Sequence, residues 1–266
     1  MTAMQKRDAA AQRLIWDLPT RVFHWALAGS FLGAYLLAEQ DELRSLHVMF
    51  GYTVAGLIAF RLLWGLIGST HSRFRDFAYS PVEAVRYLRD LSTGRARDYD
   101  GHNPAGSWAI YGLLAVAAAT ATTGWLHYNE IGGEALEELH EVLANAWLVL
   151  VAVHVAGVIV ASLAHRRNLV ATMITGRRGV ASAVPAEETS VPGARERDRT
   201  DARPRWALGS ALAATVLGFW TWAVTTGGGP LLAGAEQIAG EREHGEHLAS
   251  GFGAAQSGEH DDEDDD

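Results

Sequence analysis

The chemistry open to this sequence rests on its histidines. It has 11 of them and no cysteine. Disulfides, thiolate iron–sulfur clusters, Cys-based zinc sites and covalent haem attachment through CxxCH are therefore excluded. Four histidines, His24, His47, His140 and His154, stand inside or at the ends of long apolar runs. His140 and His154 are fourteen residues apart. On a helix that spacing is a rise of about 21 Å and a return to within about 40° of the same face. The pair is too widely separated for one metal ion and suits two sites stacked along one helix face. Arg61 follows His47 by the same fourteen residues.

These residues need elements to position them, and the apolar runs are long enough to be membrane spans, which take about 20 residues. Spans are expected over about 22–38, 47–68, 105–126, 140–164 and 206–226. Trp25, Trp64, Trp108, Trp125, Trp206 and Trp222 fall near their ends, where amphipathic rings favour the interface. The segment before the first span carries Lys6, Arg7, Arg13 and Arg21, and the loop over 69–104 carries six arginines. Further pairs, Arg166-Arg167 and Arg177-Arg178, follow the fourth span. The two other turns are acidic, with Glu39, Asp41 and Glu42 in one and Glu130, Glu134, Glu137 and Glu138 in the other. This alternation predicts a multi-pass protein of a bacterial inner membrane with a cytoplasmic N-terminus.

The expected fold is all-α: a four-helix transmembrane bundle over 1–178, a cytoplasmic linker over 179–205 and an additional C-terminal transmembrane helix over 206–226. An acidic extracytoplasmic tail over 227–266 reads as disordered. Its last run, Asp261 to Asp266, would attract a basic partner. The net charge of −9 and the lack of a sustained basic patch exclude strong nucleic-acid binding.

With the spans placed, depth pairs the histidines. His47 and His140 open spans on the outer side, and His24 and His154 lie toward the cytoplasmic side. Two neutral imidazoles on facing helices are suitable axial ligands for haem iron and leave no open position for a substrate. A single membrane histidine also serves as an interhelical hydrogen bonder, but four at two matched depths call for a common reason. Gly29, Gly33, Gly51, Gly56 and Gly157 could admit a flat ring close to the backbone, although small residues also mediate plain helix packing. Arg61, a charge inside a span, would neutralise a haem propionate, or it snorkels to the surface. His102 could reach a propionate through the turn 101–104. His244, His247 and His260, with the acidic run, could bind a metal weakly, or they belong to a solvated tail.

Several of these residues fall into a known pattern. The elements are Leu18-Pro19-Thr20-Arg21-Val22-Phe23-His24-Trp25, the Arg61-x-x-Trp64-Gly65-x-x-Gly68 end of the second span, and Arg73-Phe74-x-x-Phe77. Gly101-His102-Asn103-Pro104-Ala105-Gly106 and the His140 and His154 pair complete it. Over roughly 13–178 the chain resembles the bacterial cytochrome b561 and nickel-hydrogenase b-type cytochrome family. The resemblance implies two non-covalent b haems and electron exchange between quinone and a redox partner such as a hydrogenase, a dehydrogenase or a c-type cytochrome. The fifth span and the acidic tail go beyond the compact four-helix pattern.

The expected function is transmembrane electron transfer by a subunit embedded in lipid. A self-contained NAD(P)H reductase is disfavoured because no nucleotide-binding motif is present. A stand-alone haem quinone reductase using superoxide or another small reductant is the alternative. A histidine-lined metal transporter would gather its ligands near the midplane, and here they are split between two depths.

Overall fold

The computed structural model describes residues 12–179 and 203–226. Most of the expected linker and all of the expected acidic tail lie outside the described residues. Helix α1 (Leu18–Leu36) starts four residues before the expected span, because Asp17 caps it and Pro19 fits its first turn. The Asp17 carboxylate accepts from Thr20 N at 2.9 Å. A tight turn leads into α2 (Arg44–Ile67), which stops at Gly68. After an arm with a short 3-10 turn at Phe74–Phe77, an unexpected amphipathic helix, α3 (Pro81–Ser92), is nucleated by a Ser80/Glu83 capping box.

Helix α4 (Pro104–Tyr128) is capped by Asn103, whose side-chain oxygen accepts from Gly106 N at 2.7 Å. Asn103→Ala should therefore cost about 1 kcal/mol of stability, measurable as a lower Tm of the detergent-solubilised protein. Gly132 and Gly133, at φ +90° and +58°, turn the chain into α5. Helix α5 (Gly133–Ala164) begins seven residues before the expected span, so His140 sits two turns inside it rather than at its opening. A short helix, α6 (Leu169–Thr175), precedes a strand, β2 (Arg177–Gly179), that pairs antiparallel with β1 (Gln12–Leu14). Helix α7 covers Arg203–Thr225.

The helices pack as α1 on α2, α2 on α4 and α4 on α5, and α7 lies against α1. A core of Phe23, Phe31, Val54, Leu57, Ile58, Leu114, Ala117 and Trp147 joins the first four long helices. Helix α7 runs alongside α1 in the same direction. Its Gly209 meets Leu18, and farther along Trp220 Nε1 donates to Thr53 Oγ1 at 3.1 Å. The end of α7 therefore emerges with the acidic turns.

The surface is apolar where a soluble protein would be polar. Leu63, Leu66, Ile67, Val149 and Leu163 are exposed, while Arg61, Ser72, Ser107, Thr120 and Thr123 are buried. That inversion is what a lipid solvent selects. Among the described residues, four helices are long and apolar enough to cross a membrane: α2 with its preceding turn, α4, α5 and α7. Helix α1 is not in that set, because Thr20, Arg21, His24 and Ser30 dilute it. At 19 residues it still measures about 28 Å. Thr20 and Ser30 face inward, and Trp25, Leu32 and Leu36 face outward.

Candidate functional site

His47, in the first turn of α2, and His140, on α5, are brought face to face at the acidic end, with ring centroids 6.2 Å apart and planes at 83°. The His47 Nδ1–H donates to the Ala34 carbonyl at 2.8 Å, and the His140 Nδ1–H donates to the Thr120 carbonyl at 3.0 Å. Each backbone acceptor fixes the tautomer that leaves Nε2 with a free lone pair, the second contact typical of a metal-binding imidazole. Gly124 permits this placement. A Cβ there would come within 2.7 Å of His140 Cε1.

At the basic end, His24 on α1 and His154 on α5 lie within electrostatic range of each other. His24 Nδ1 is buried with no hydrogen-bond partner. At the same end, Arg61 on α2 is 3% exposed, and its guanidinium stands 4.7 Å over the Phe74 ring. Arg61 Nη1, Trp64 Nε1 and His102 Nδ1 are also buried without partners. His102 is wedged between Trp16, at 4.6 Å, and Phe77, at 4.5 Å, in ring-centroid distance. Burial first, and then the charges of Arg61, His71 and His154, push its pKa down to about 3, so it is a neutral imidazole at pH 7. Asp17, Thr20, Ser69 and Ser72 form a buried hydrogen-bonded chain at the same end, with Thr20 Oγ1 2.7 Å from Ser72 Oγ.

These residues fit haem on three counts. An imidazole–metal bond of about 2 Å, with about 1 Å from nitrogen to ring centre on each side, places bis-imidazole rings about 6 Å apart, close to the His47–His140 separation. The unpartnered Arg61, His102 and Trp64 donors suit acidic substituents at the basic end. A Cβ at Gly51 or Gly157 would meet nothing within 4 Å, and these glycines lie within about 60° of His47 and His154 on their helices. Three other glycines behave differently from expectation. A Cβ at Gly33 would strike the Phe50 ring at 2.5 Å, so Gly33 serves helix packing. Gly29 and Gly56 lie about 140° and 180° around their helices from His24 and His47 and face elsewhere.

Among the described residues, no group of three or more His, Asp or Glu side chains gathers closely enough to hold a metal ion. His71, in the arm after α2, joins the basic-end group through Trp16, with rings 6.4 Å apart. His127 closes α4 at the acidic end, within electrostatic range of His140, and His165 follows α5 at the basic end. The Ala34 and Thr120 acceptors and Gly124 escape a reading of the sequence, since two act through backbone and one through lack of a side chain.

No solved structure matches the chain. A protein of Rhizobium leguminosarum bv. viciae, described as a probable Ni/Fe-hydrogenase B-type cytochrome subunit, is 21% identical over 211 residues, covering 62% of this chain and 87% of that protein. Proteins with the same description from Bradyrhizobium diazoefficiens and Azotobacter vinelandii are 22% and 24% identical, over 64% and 62% of this chain and 90% and 87% of their own lengths. The family model of prokaryotic cytochrome b561 matches residues 15–176, the stretch that holds α1 to α6 and all four paired histidines. The chain is an integral membrane protein that belongs to the prokaryotic cytochrome b561 family of b-type electron-transfer cytochromes.

Proposed function

We propose that the chain holds two b haems, one between His47 and His140 at the acidic end and one between His24 and His154 at the basic end, and passes electrons across the membrane between them. Bound haem supplies a one-electron iron couple. The chain's own residues supply two imidazoles per site, with the His47 and His140 tautomers fixed by the Ala34 and Thr120 carbonyls, and the Arg61 charge. The observation that carries this reading is the His47–His140 geometry, in which both Nδ1 atoms are already committed to backbone. The sites lie fourteen residues apart on α5, about 21 Å along the helix, so one helix supplies a ligand to both.

The basic end is cytoplasmic in this reading, because arginines crowd its loops. Helix α1 completes the bundle as a span, with Arg61 and His102 holding propionates. The names of the relatives point to a hydrogenase-like partner, and quinone is the other exchange partner in this reading. Pyridine haemochrome analysis against protein concentration tests the cofactor count. Two haems per chain are expected, and a ratio near zero would sink the reading.

Gly124→Leu should weaken the acidic-end haem without touching the other, because the new side chain occupies the place of the His140 ring. Redox titration should show one of two components lost or displaced. Equal loss of both components would mean that Gly124 acts only on general packing.

A further inference from the structure

Helix α3 is built for a place that the electron-transfer reading does not use. It links the basic ends of two spans. Just before its cap, the Tyr79 carbonyl accepts from Trp108 Nε1 at 3.1 Å, one turn into α4. Two turns into α3, the Tyr87 hydroxyl meets His165 Nε2 at 3.3 Å, at the residue following α5. Both anchors are at span ends, so α3 lies across the bundle end, level with an interfacial tryptophan.

Its sides differ in chemistry. Ala84 and Tyr87 are buried against the protein, whereas Val82, Val85 and Leu88 are 66%, 68% and 54% exposed. At about 100° per residue, Val85 and Leu88 form one exposed flank and Glu83 and Asp90 the opposite one. Arg86 and Arg89 lie between them with Val82, facing away from the bundle. A helix with apolar residues below, acids above and arginines at the boundary matches the layers of a leaflet: acyl chains, anionic headgroups, water.

We propose that α3 is a membrane-interface anchor that seats Val85 and Leu88 among acyl chains and binds anionic phospholipid headgroups through Arg86 and Arg89, with Val82 at the boundary between them. A protein partner of the same face would have to cover three apolar residues and two arginines at the level of the span ends, where lipid is already the neighbour of the exposed leucines and valines of α2 and α5. The assignment is independent of the haem reading.

The sequence has no cysteine, so a single introduced one reports one position. Full-length Val85→Cys, Leu88→Cys and Glu83→Cys proteins, each carrying an environment-sensitive fluorophore, are reconstituted in vesicles of phosphatidylcholine and phosphatidylglycerol. Labels at 85 and 88 should be quenched by nitroxide on the acyl chains and shielded from iodide, and the label at 83 should behave in the opposite way. Iodide quenching at all three positions, or shielding from both quenchers, overturns the proposal, since α3 would then lie in water or under protein. In a second arm, phosphatidylglycerol retained by the purified protein is quantified by mass spectrometry. Arg86→Gln with Arg89→Gln should lower it several-fold, as expected when two surface cations are lost, while Glu83→Gln with Asp90→Asn should not. Equal retention in both double variants, with unchanged circular dichroism, overturns the headgroup assignment.

Discussion

Alanine in place of His140 should halve the haem content, from two per chain to one, and His47→Ala should remove the same haem. The structure faces the two rings across 6.2 Å, each with Nδ1 bonded to a carbonyl of a neighbouring helix. Neither ring can turn its other nitrogen inward without abandoning that bond, so no second ligand stands in reserve on the same side chain. His127, also at the acidic end but at the end of α4, gives the control, and its alanine variant should keep both haems. The paired variants His24→Ala and His154→Ala should lose the other component. Haemochrome quantitation followed by redox titration of what remains reads both the number and the identity of the missing haem. Loss of the same component from the His47 and His154 variants would break the depth pairing on which the two-site reading stands.

Much of this architecture is legible in the sequence because it depends on side-chain type and helical period. The fourteen-residue interval between His140 and His154 sets two levels on one helix face, and apolar runs locate the long helices to within a few residues at most ends. Ends set by polar capping are harder. Asp17 extends α1 by four residues, and the acidic first turns of α5 look like loop although they are helical. Helix α3 is missed because its twelve residues contain too few apolar ones to stand out beside the spans, although their one-sided placement and the Ser80/Glu83 capping pattern were signals in plain view. Glycine type does not reveal glycine orientation. Counting residues from His24 and His47 separates Gly51 from Gly29 and Gly56, but the clash that makes Gly33 a packing residue depends on Phe50 of the next helix. Gly124 is illegible for a similar reason, since its function is defined by a ring sixteen residues away on another helix. The carbonyls of Ala34 and Thr120 leave no trace, because any residue can provide them.

Arg61→Gln should lower the potential of the basic-end haem considerably more than that of the acidic-end haem. Arg61 is buried beneath Phe74 and Phe77, close enough to interact with His102. Its stem is long enough to snorkel, yet the guanidinium is enclosed by aromatic rings rather than delivered to water, which favours an internal partner. A positive charge near oxidised, more positive iron raises the free energy of the oxidised state, so its removal stabilises that state and the potential falls. For a charge roughly 10 Å away in an effective dielectric of about 20, the interaction is about 1.7 kcal/mol, or on the order of 70 mV for one electron. The second site lies on the order of 20 Å farther along α5, so at about 30 Å the same charge contributes about a third as much, and that haem should shift correspondingly less. Arg61→Lys separates charge from shape. It should recover most of the potential while losing the planar contact with Phe74. Spectroelectrochemical titration of the two variants beside the unmodified protein decides the matter. Equal shifts at both haems, or none at either, would assign Arg61 to packing rather than to the electrostatics of the basic-end site.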